Sequence, residues 1–253
     1  MTKKLIWKRK RFRFLFIAFA AIGSLILVLV LVTVLRTSRR IVMQFDIRQN
    51  KELIHLSTFA EPPQFAIWLE NPSNNRCQTV FVTRRVAIGD WEGKANVPDA
   101  LPRWFETFRG NGDLNEKQNL KKDPDLAVTG ATPREDYFSV RVDVKPGSQW
   151  ICWLEMNLAG DFNDAFPEFN EMTLVEDEFS CGQPSLLYKA EITVVEGLVI
   201  EPELVAQSIW ENGNSYIEPV SEGVTTARNI FDEIKISVVQ PKLRLIEEKV
   251  KNQ

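Results

Sequence analysis

Histidine and cysteine are scarce: 253 residues hold a single histidine, His55, and three cysteines. Cys77, Cys152 and Cys181 form no C-x-x-C pair, so neither a zinc site nor a thioredoxin-like motif is indicated. His55 sits in LIHLS with no Ser or Cys motif beside it, and reads as a half-buried strand residue rather than a catalytic base. Internal repeats and long low-complexity tracts are also missing, which sets aside repeat arrays. Positive charge is scarce beyond residue 35. Seven of the 31 Lys and Arg precede that point, so 31 − 7 = 24 remain against 34 Asp and Glu, a formal charge of −10. That balance argues against a nucleic-acid partner, which needs a basic footprint, and it disfavours adhesion of the body to anionic lipid.

What the chain does have is an unbroken apolar run. Residues 14–35, FLFIAFAAIGSLILVLVLVTVL, contain no charge and no proline. At about 1.5 Å per residue, 22 helical residues span roughly 33 Å, enough to cross a hydrocarbon core of about 30 Å. Before the run lie Lys3, Lys4, Lys8, Arg9, Lys10, Arg11 and Arg13, with no acid; after it come Arg36, Arg39 and Arg40. Seven cations against three predict a cytoplasmic basic tail over residues 1–13, a transmembrane helix over 14–35 and a translocated C-terminal part. A cleaved signal peptide would have an apolar region of about 7–15 residues and a small-residue cleavage site, whereas this run is longer and ends LRTSRR. Ala20 and Ser24 place two small residues on one side of the helix, a hint of helix pairing.

Residues 41–241 carry strand patterns. Residues 41–47 read as a first strand and 52–59 as a second. Residues 65–70 (FAIWLE) and 79–85 (TVFVTRR), separated by turn residues, read as a hairpin. A short helix is expected between Pro98 and Phe108, docking Trp104, Phe105 and Phe108 on a sheet. Residues 137–144 (YFSVRVDV) and 149–158 flank Pro146-Gly147 and read as a second hairpin. Residues 185–196 and the EIKISVV stretch are further strands, residues 197–222 are irregular, and 242–253 form a charged tail. Seven or eight strands without interleaved helices favour an antiparallel β-sandwich with one short helix and long loops.

Several stretches bear on chemistry. Asp161, Asp164, Glu168, Glu171, Glu176, Asp177 and Glu178 form an acidic run, but without the loop glycine and ligand spacing of an EF-hand, so a solvated loop is expected. Trp68, Trp104, Trp150 and Trp153 could form a ligand platform, although aromatic residues at strand spacing belong more often to a core. In an oxidising compartment Cys152 and Cys181 are the pair we would join, the alternative being three separate buried thiols. The tetrapeptide within residues 128–133, VTGATP, resembles the acceptor site of extracytoplasmic flavoproteins, where FMN is joined through its phosphate to the final threonine hydroxyl. That resemblance places the flavin on Thr132, with Leu126 where an acid is expected and Asp125 one step away. A turn in which Gly130 supplies an unusual backbone angle is the plainer reading.

The motifs PPQFAIWLENP, TVFVTRR, PDALPRWFE, AVTGATP, the strand at 137–144, QWICWLEMN and GQPSLLYKAEI occur in that order over residues 60–240. Together they resemble an uncharacterised bacterial periplasmic domain family, FlgD-like and labelled as flagellin-biosynthesis proteins. The sequence departs from that pattern at Gly147-Ser148-Gln149-Trp150, where a Gly-x-Tyr strand start is common, and in the acidic 160–180 region. The resemblance implies an immunoglobulin-like fold, a periplasmic body on the bacterial inner membrane and a link to membrane redox systems, with no settled activity. The expectation is a membrane-anchored binding or accessory protein that partners another envelope protein, without catalysis, cofactor or metal. Its rival is an electron carrier with FMN on Thr132. A hydrolase with an unrecognised carboxylate pair ranks behind both.

Overall fold

The computed structural model describes residues 22–28, 40–88, 90–91, 94–95, 99–109, 129–130, 133, 136–177 and 179–241. The chain divides into two units, one of Met1–Ile41 with Gln240–Gln253 and the other Val42–Val239. In the first, residues 22–28 are helical with exposed apolar side chains such as Leu25 and Leu27. The rest of the expected span (residues 14–21 and 29–35) lies outside the described residues, as do both terminal tails. Among the described residues no helix is long and apolar enough to cross a membrane.

The larger unit is mainly β. In chain order its strands are β1 (Ile41–Gln49), β2 (Gln64–Asn71), β3 (Arg76–Thr83), β4 (Asp90–Trp91), β5 (Lys94–Ala95), β6 (Thr129–Gly130), β7 (Tyr137–Val144), β8 (Gln149–Asn157), β9 (Phe169–Asn170), β10 (Val175–Glu176), β11 (Ser185–Thr193), β12 (Val199–Ile200), β13 (Glu203–Glu211), β14 (Asn214–Glu218) and β15 (Phe231–Val239). Short helices α1 (Lys51–Leu56), α2 (Arg84–Ile88) and α3 (Pro102–Arg109) lie between them. One sheet has the order β12–β15–β1–β7 and another β14–β13–β11–β8–β2–β3–β6, with β9–β10 and β4–β5 as separate pairs. The long ladders are antiparallel, and β6 joins the edge of β3 in parallel.

Strand β2 shows why these residues pair as they do. Gln64 to Leu69 are all buried, six in succession, because both faces of this central strand are covered. A strand hidden on both sides reads as a continuous apolar run rather than an alternation. Edge strand β7 alternates instead: Phe138, Val140 and Val142 are half-buried, while their odd-numbered neighbours from Tyr137 to Asp143 are exposed. The Phe65 ring on β2 meets Phe81 at 5.1 Å, Phe138 on β7 at 5.3 Å and Phe231 on β15 at 5.7 Å between centroids.

The hairpin expected from residues 65–85 is present as β2–β3, with a bulge between Ile67 and Trp68. The helix expected between 98 and 108 is present as α3, started by Pro102 rather than Pro98; it buries Trp104 and Phe105 and half-buries Phe108. Three expectations are overturned. Residues 52–59 are not a strand: Asn50 accepts the Leu53 N–H at 3.1 Å and caps α1, which leaves His55 exposed in a last helical turn. Strands β7 and β8 do not pair; they lie in different sheets. The Pro146-Gly147 turn is tied to the end of β11 instead, through Gly147 N–H to Val194 O at 2.8 Å and Val194 N–H to Ser148 O at 2.9 Å. Finally, residues 203–218 are a regular hairpin, β13–β14, turned at Asn212-Gly213, where both residues have positive φ (52° and 82°), as a tight I′ turn requires.

Phe65 is fully buried and makes three ring contacts, so Phe65→Ala should destabilise the protein by about 3–5 kcal/mol. Tyr216→Ala, at a half-exposed ring on β14, should stay within about 0.5 kcal/mol. Urea unfolding followed by tryptophan fluorescence measures both.

Candidate functional site

On one face of the seven-stranded sheet, the register aligns Val82, Ala66, Glu155, Leu187 and Ala206 across β3, β2, β8, β11 and β13. The two alanines keep this row shallow, and α3 packs there: Ala66, Val82, Leu187 and Ala206 share one buried cluster with Leu101, Trp104 and Phe105. The middle of the row is Glu155, with no exposure at all.

Glu155 does for α3 what its own N-terminus cannot. Pro102 occupies the first helical position, and the residue before it, Leu101, has no side-chain acceptor. The next two N–H groups reach across to the sheet: Arg103 N–H donates to Glu155 Oε1 at 3.0 Å and Trp104 N–H to Oε2 at 2.7 Å. The carboxylate also meets the positive end of the helix dipole. Farther along, Trp104 Nε1–H donates to buried Thr79 Oγ1 at 3.3 Å, and Glu106 Oε1 accepts from the Ser215 N–H at 3.4 Å, tying the helix to β3 and β14.

The same acid can hold or release a proton without breaking this arrangement. Ser185 Oγ stands 2.8 Å from Glu155 Oε1 and 3.1 Å from Ser208 O. A hydroxyl has one proton to give. With Glu155 ionised, Ser185 donates to it; with Glu155 protonated, the acid donates to Ser185, which turns its own proton to Ser208 O. Burial pushes the Glu155 carboxyl up from 4.5 to about 7, against the pull of the Trp104, Arg103, Ser185 and Ser208 hydrogen bonds. Such an acid is a candidate for proton chemistry, but α3 covers it, and the arrangement works as an anchor whose charge depends on pH.

A second row, Thr79, Trp68, Trp153, Lys189 and Glu203, runs beside the first. Trp68 and Trp153 stack at 6.1 Å with planes 15° apart, and Lys189 Nζ lies 5.6 Å from the centre of the Trp153 ring. Trp153 Nε1–H donates to Glu70 at 3.0 Å, and Phe108 of α3 closes on Trp68 and Trp104. Three of the four tryptophans singled out from the sequence therefore meet, as packing rather than as an open platform. Trp150 is an odd number of strand positions from Trp153, on the opposite face of β8, with its indole N–H on Ser148 Oγ at 2.9 Å.

The remaining candidates scatter. No disulfide joins the cysteines, so the Cys152–Cys181 pairing is not formed. Cys152 lies inside, with Sγ 3.4 Å from Met43 Sδ, and burial raises its pKa. Cys181 lies at the other end of β8, its carbonyl bonded by Asn157 Nδ2 at 3.1 Å. Five residues of β8, roughly 17 Å, separate Cys152 from the Asn157 that binds Cys181, beyond disulfide reach. Within the acidic run, Asp161 is buried, accepts from the Thr226 hydroxyl, and is raised by desolvation; Asp177 accepts the Gly182 N–H at 2.7 Å. Among the described residues no group of three or more His, Cys, Asp or Glu could hold a metal ion. Thr132 and Glu178 lie outside the described residues. The sequence reading passed over Glu155, although an acid between Leu154 and Met156 in a strand otherwise built of apolar and aromatic residues was its visible signal. Comparison with protein-family models, characterised proteins and solved structures finds no match.

The folded carboxyl keeps its proton to higher pH than an unfolded one. Stability gained this way is full below about pH 4.5 and is lost as pH rises through about 7. Thermal or urea unfolding should therefore show stability falling between pH 5 and pH 8, with at most on the order of 3 kcal/mol attributable to this group. Glu155→Gln should remove that component of the slope. It should also cost about 1–3 kcal/mol at pH 5, because its amide turns a donor toward a helix N–H.

Proposed function

We propose that the chain is a membrane-anchored binding or accessory protein of the bacterial envelope. Residues 14–35 would cross the inner membrane once, with the N-terminus cytoplasmic and residues 41–241 in the periplasm. The observation that carries this reading is the uncharged 22-residue run with seven cations before it and three after. We read the two large sheets as the facing layers of an immunoglobulin-like sandwich. The contacts of Phe65 with Phe138 and Phe231, and of Cys152 with Met43, support that arrangement. The buried acid serves the fold, which favours a body that works by presenting surface to another envelope protein. The FlgD-like resemblance suggests a membrane redox component as that protein, and it rests on the sequence motifs alone.

The VTGATP motif favours a second reading, an electron carrier with FMN on Thr132. Thr129 and Gly130 pair with Val82 and Thr83 at the edge of the large sheet, which places the start of the motif at a sheet margin.

Protease added to intact spheroplasts should digest the body, and carbonate should leave the chain in the membrane pellet. A protected body, or release into the carbonate wash, would overturn the anchored reading. In-gel fluorescence of the denatured protein decides between the two functions: a flavin band lost in Thr132→Ala would establish the carrier.

A further inference from the structure

We infer that the hairpin β9–β10 is a preformed docking tip for a protein partner that offers an apolar groove rimmed by Lys and Arg. The inference rests on reading the chain as a binding protein and specifies where it binds.

The hairpin inverts the usual placement of side chains. Met172 is 94% exposed, Leu174 75%, Val175 62% and Phe169 49%, four large apolar residues within seven positions. Apolar residues gathered on one projecting element mark an interaction site more often than scattered ones do. The tip is also rigidly held. Asn170 Oδ1 accepts the Met172 and Thr173 N–H groups, both at 3.0 Å, and Asn170 O accepts the Leu174 N–H at 2.7 Å. Below the turn, Asp177 N–H donates to Glu168 O at 2.9 Å. Leu174 has φ +56°, a left-handed conformation that Gly or Asn would adopt with less strain. An apolar side chain is retained there at that cost, and a turn already in its bound shape loses little entropy on docking.

Charge selects the partner. Residues 168–177, EFNEMTLVED, contain four acids and no base. Glu168, Glu171 and Glu176 are exposed and have no ion-pair partner among the described residues. An anionic lipid surface would repel this rim, and a protein groove edged with cations would complement it.

The test uses the full chain in its source cells, with Met172 replaced by the photoreactive p-benzoylphenylalanine and the same probe at Val205 as a body-surface control. Irradiation should give one discrete protein adduct from position 172 and none from 205. Mass spectrometry should place the crosslink in an apolar segment flanked by Lys or Arg. Adduct yield should fall about fivefold or more in Glu171→Lys/Glu176→Lys. It should also fall in Leu174→Asn, whose thermal stability should be unchanged or higher because the backbone strain is relieved. A lipid adduct extractable into organic solvent, an acidic target segment, a second copy of this chain, no adduct at 172, or a yield indifferent to charge reversal would each overturn the proposal. Carbonate extraction of the same cells reads the anchor separately, so docking and anchoring fail independently.

Discussion

A carboxylate without water holds the outer layer of the large sheet in place. Helix α3 begins at a proline after a leucine, a residue with no side-chain acceptor to offer the first free amide groups. Burying them unpaired would cost about 1–3 kcal/mol each. Glu155 supplies acceptors for two of them from the centre of the sheet, and α3 in turn excludes the water that would otherwise solvate the acid. Each half supports the other: the acid caps the helix, and the helix supplies two of the donors that the buried acid takes besides the Ser185 hydroxyl. Ala66 and Ala206 belong to the same device, because their small side chains leave room for Trp104 and Phe105 beside Val82 and Leu187.

This coupling explains the two-sided burial of β2. One face carries Phe65, which meets rings from β3, β7 and β15. The other carries Ala66 and Trp68 under α3. An antiparallel sheet can leave one face to solvent. Here the helix covers the second face, and the Trp68–Trp153 stack extends that cover along the next row. The outer aromatic cluster is thus a consequence of seating the helix.

What could be read from the sequence follows from how local each signal is. The β2–β3 hairpin and the docking side of α3 were legible because turn residues, alternation and Trp104, Phe105 and Phe108 sit within single elements. Which strands pair was less legible. The Pro146-Gly147 turn suits a hairpin, yet β7 and β8 part into different sheets, a choice set by β1 and β2, strands far away in sequence. Helix α1 was mistaken for a strand because Leu53, Ile54 and Leu56 are too few to show a helical period, and the deciding signal was the cap at Asn50. Asn212-Gly213 was a strong hairpin signal that the surrounding prolines and glycines obscured. Glu155 was visible as a residue, but its role depends on a helix 52 positions earlier, which no local pattern reports.

The acids of the chain sort by what faces them. At Asp46, burial raises the carboxyl, but hydrogen bonds from Tyr137, Ser139 and Gln44 outweigh it and hold the group below its ordinary value. At Glu155 desolvation wins, and the balance falls near neutrality. Asp161 and Asp177 bind loop hydroxyl and amide groups. In each case a carboxylate taken from water is given donors, as the cost of burying charge demands. The hairpin at 169–176 stands outside this pattern: among the described residues its glutamates meet no cation and its apolar side chains are left exposed. A body able to seat a carboxylate beneath a helix is not short of means to bury Met172 and Leu174. Their exposure on a turn that Asn170 fixes is therefore better explained by something outside the chain than by failure to pack within it.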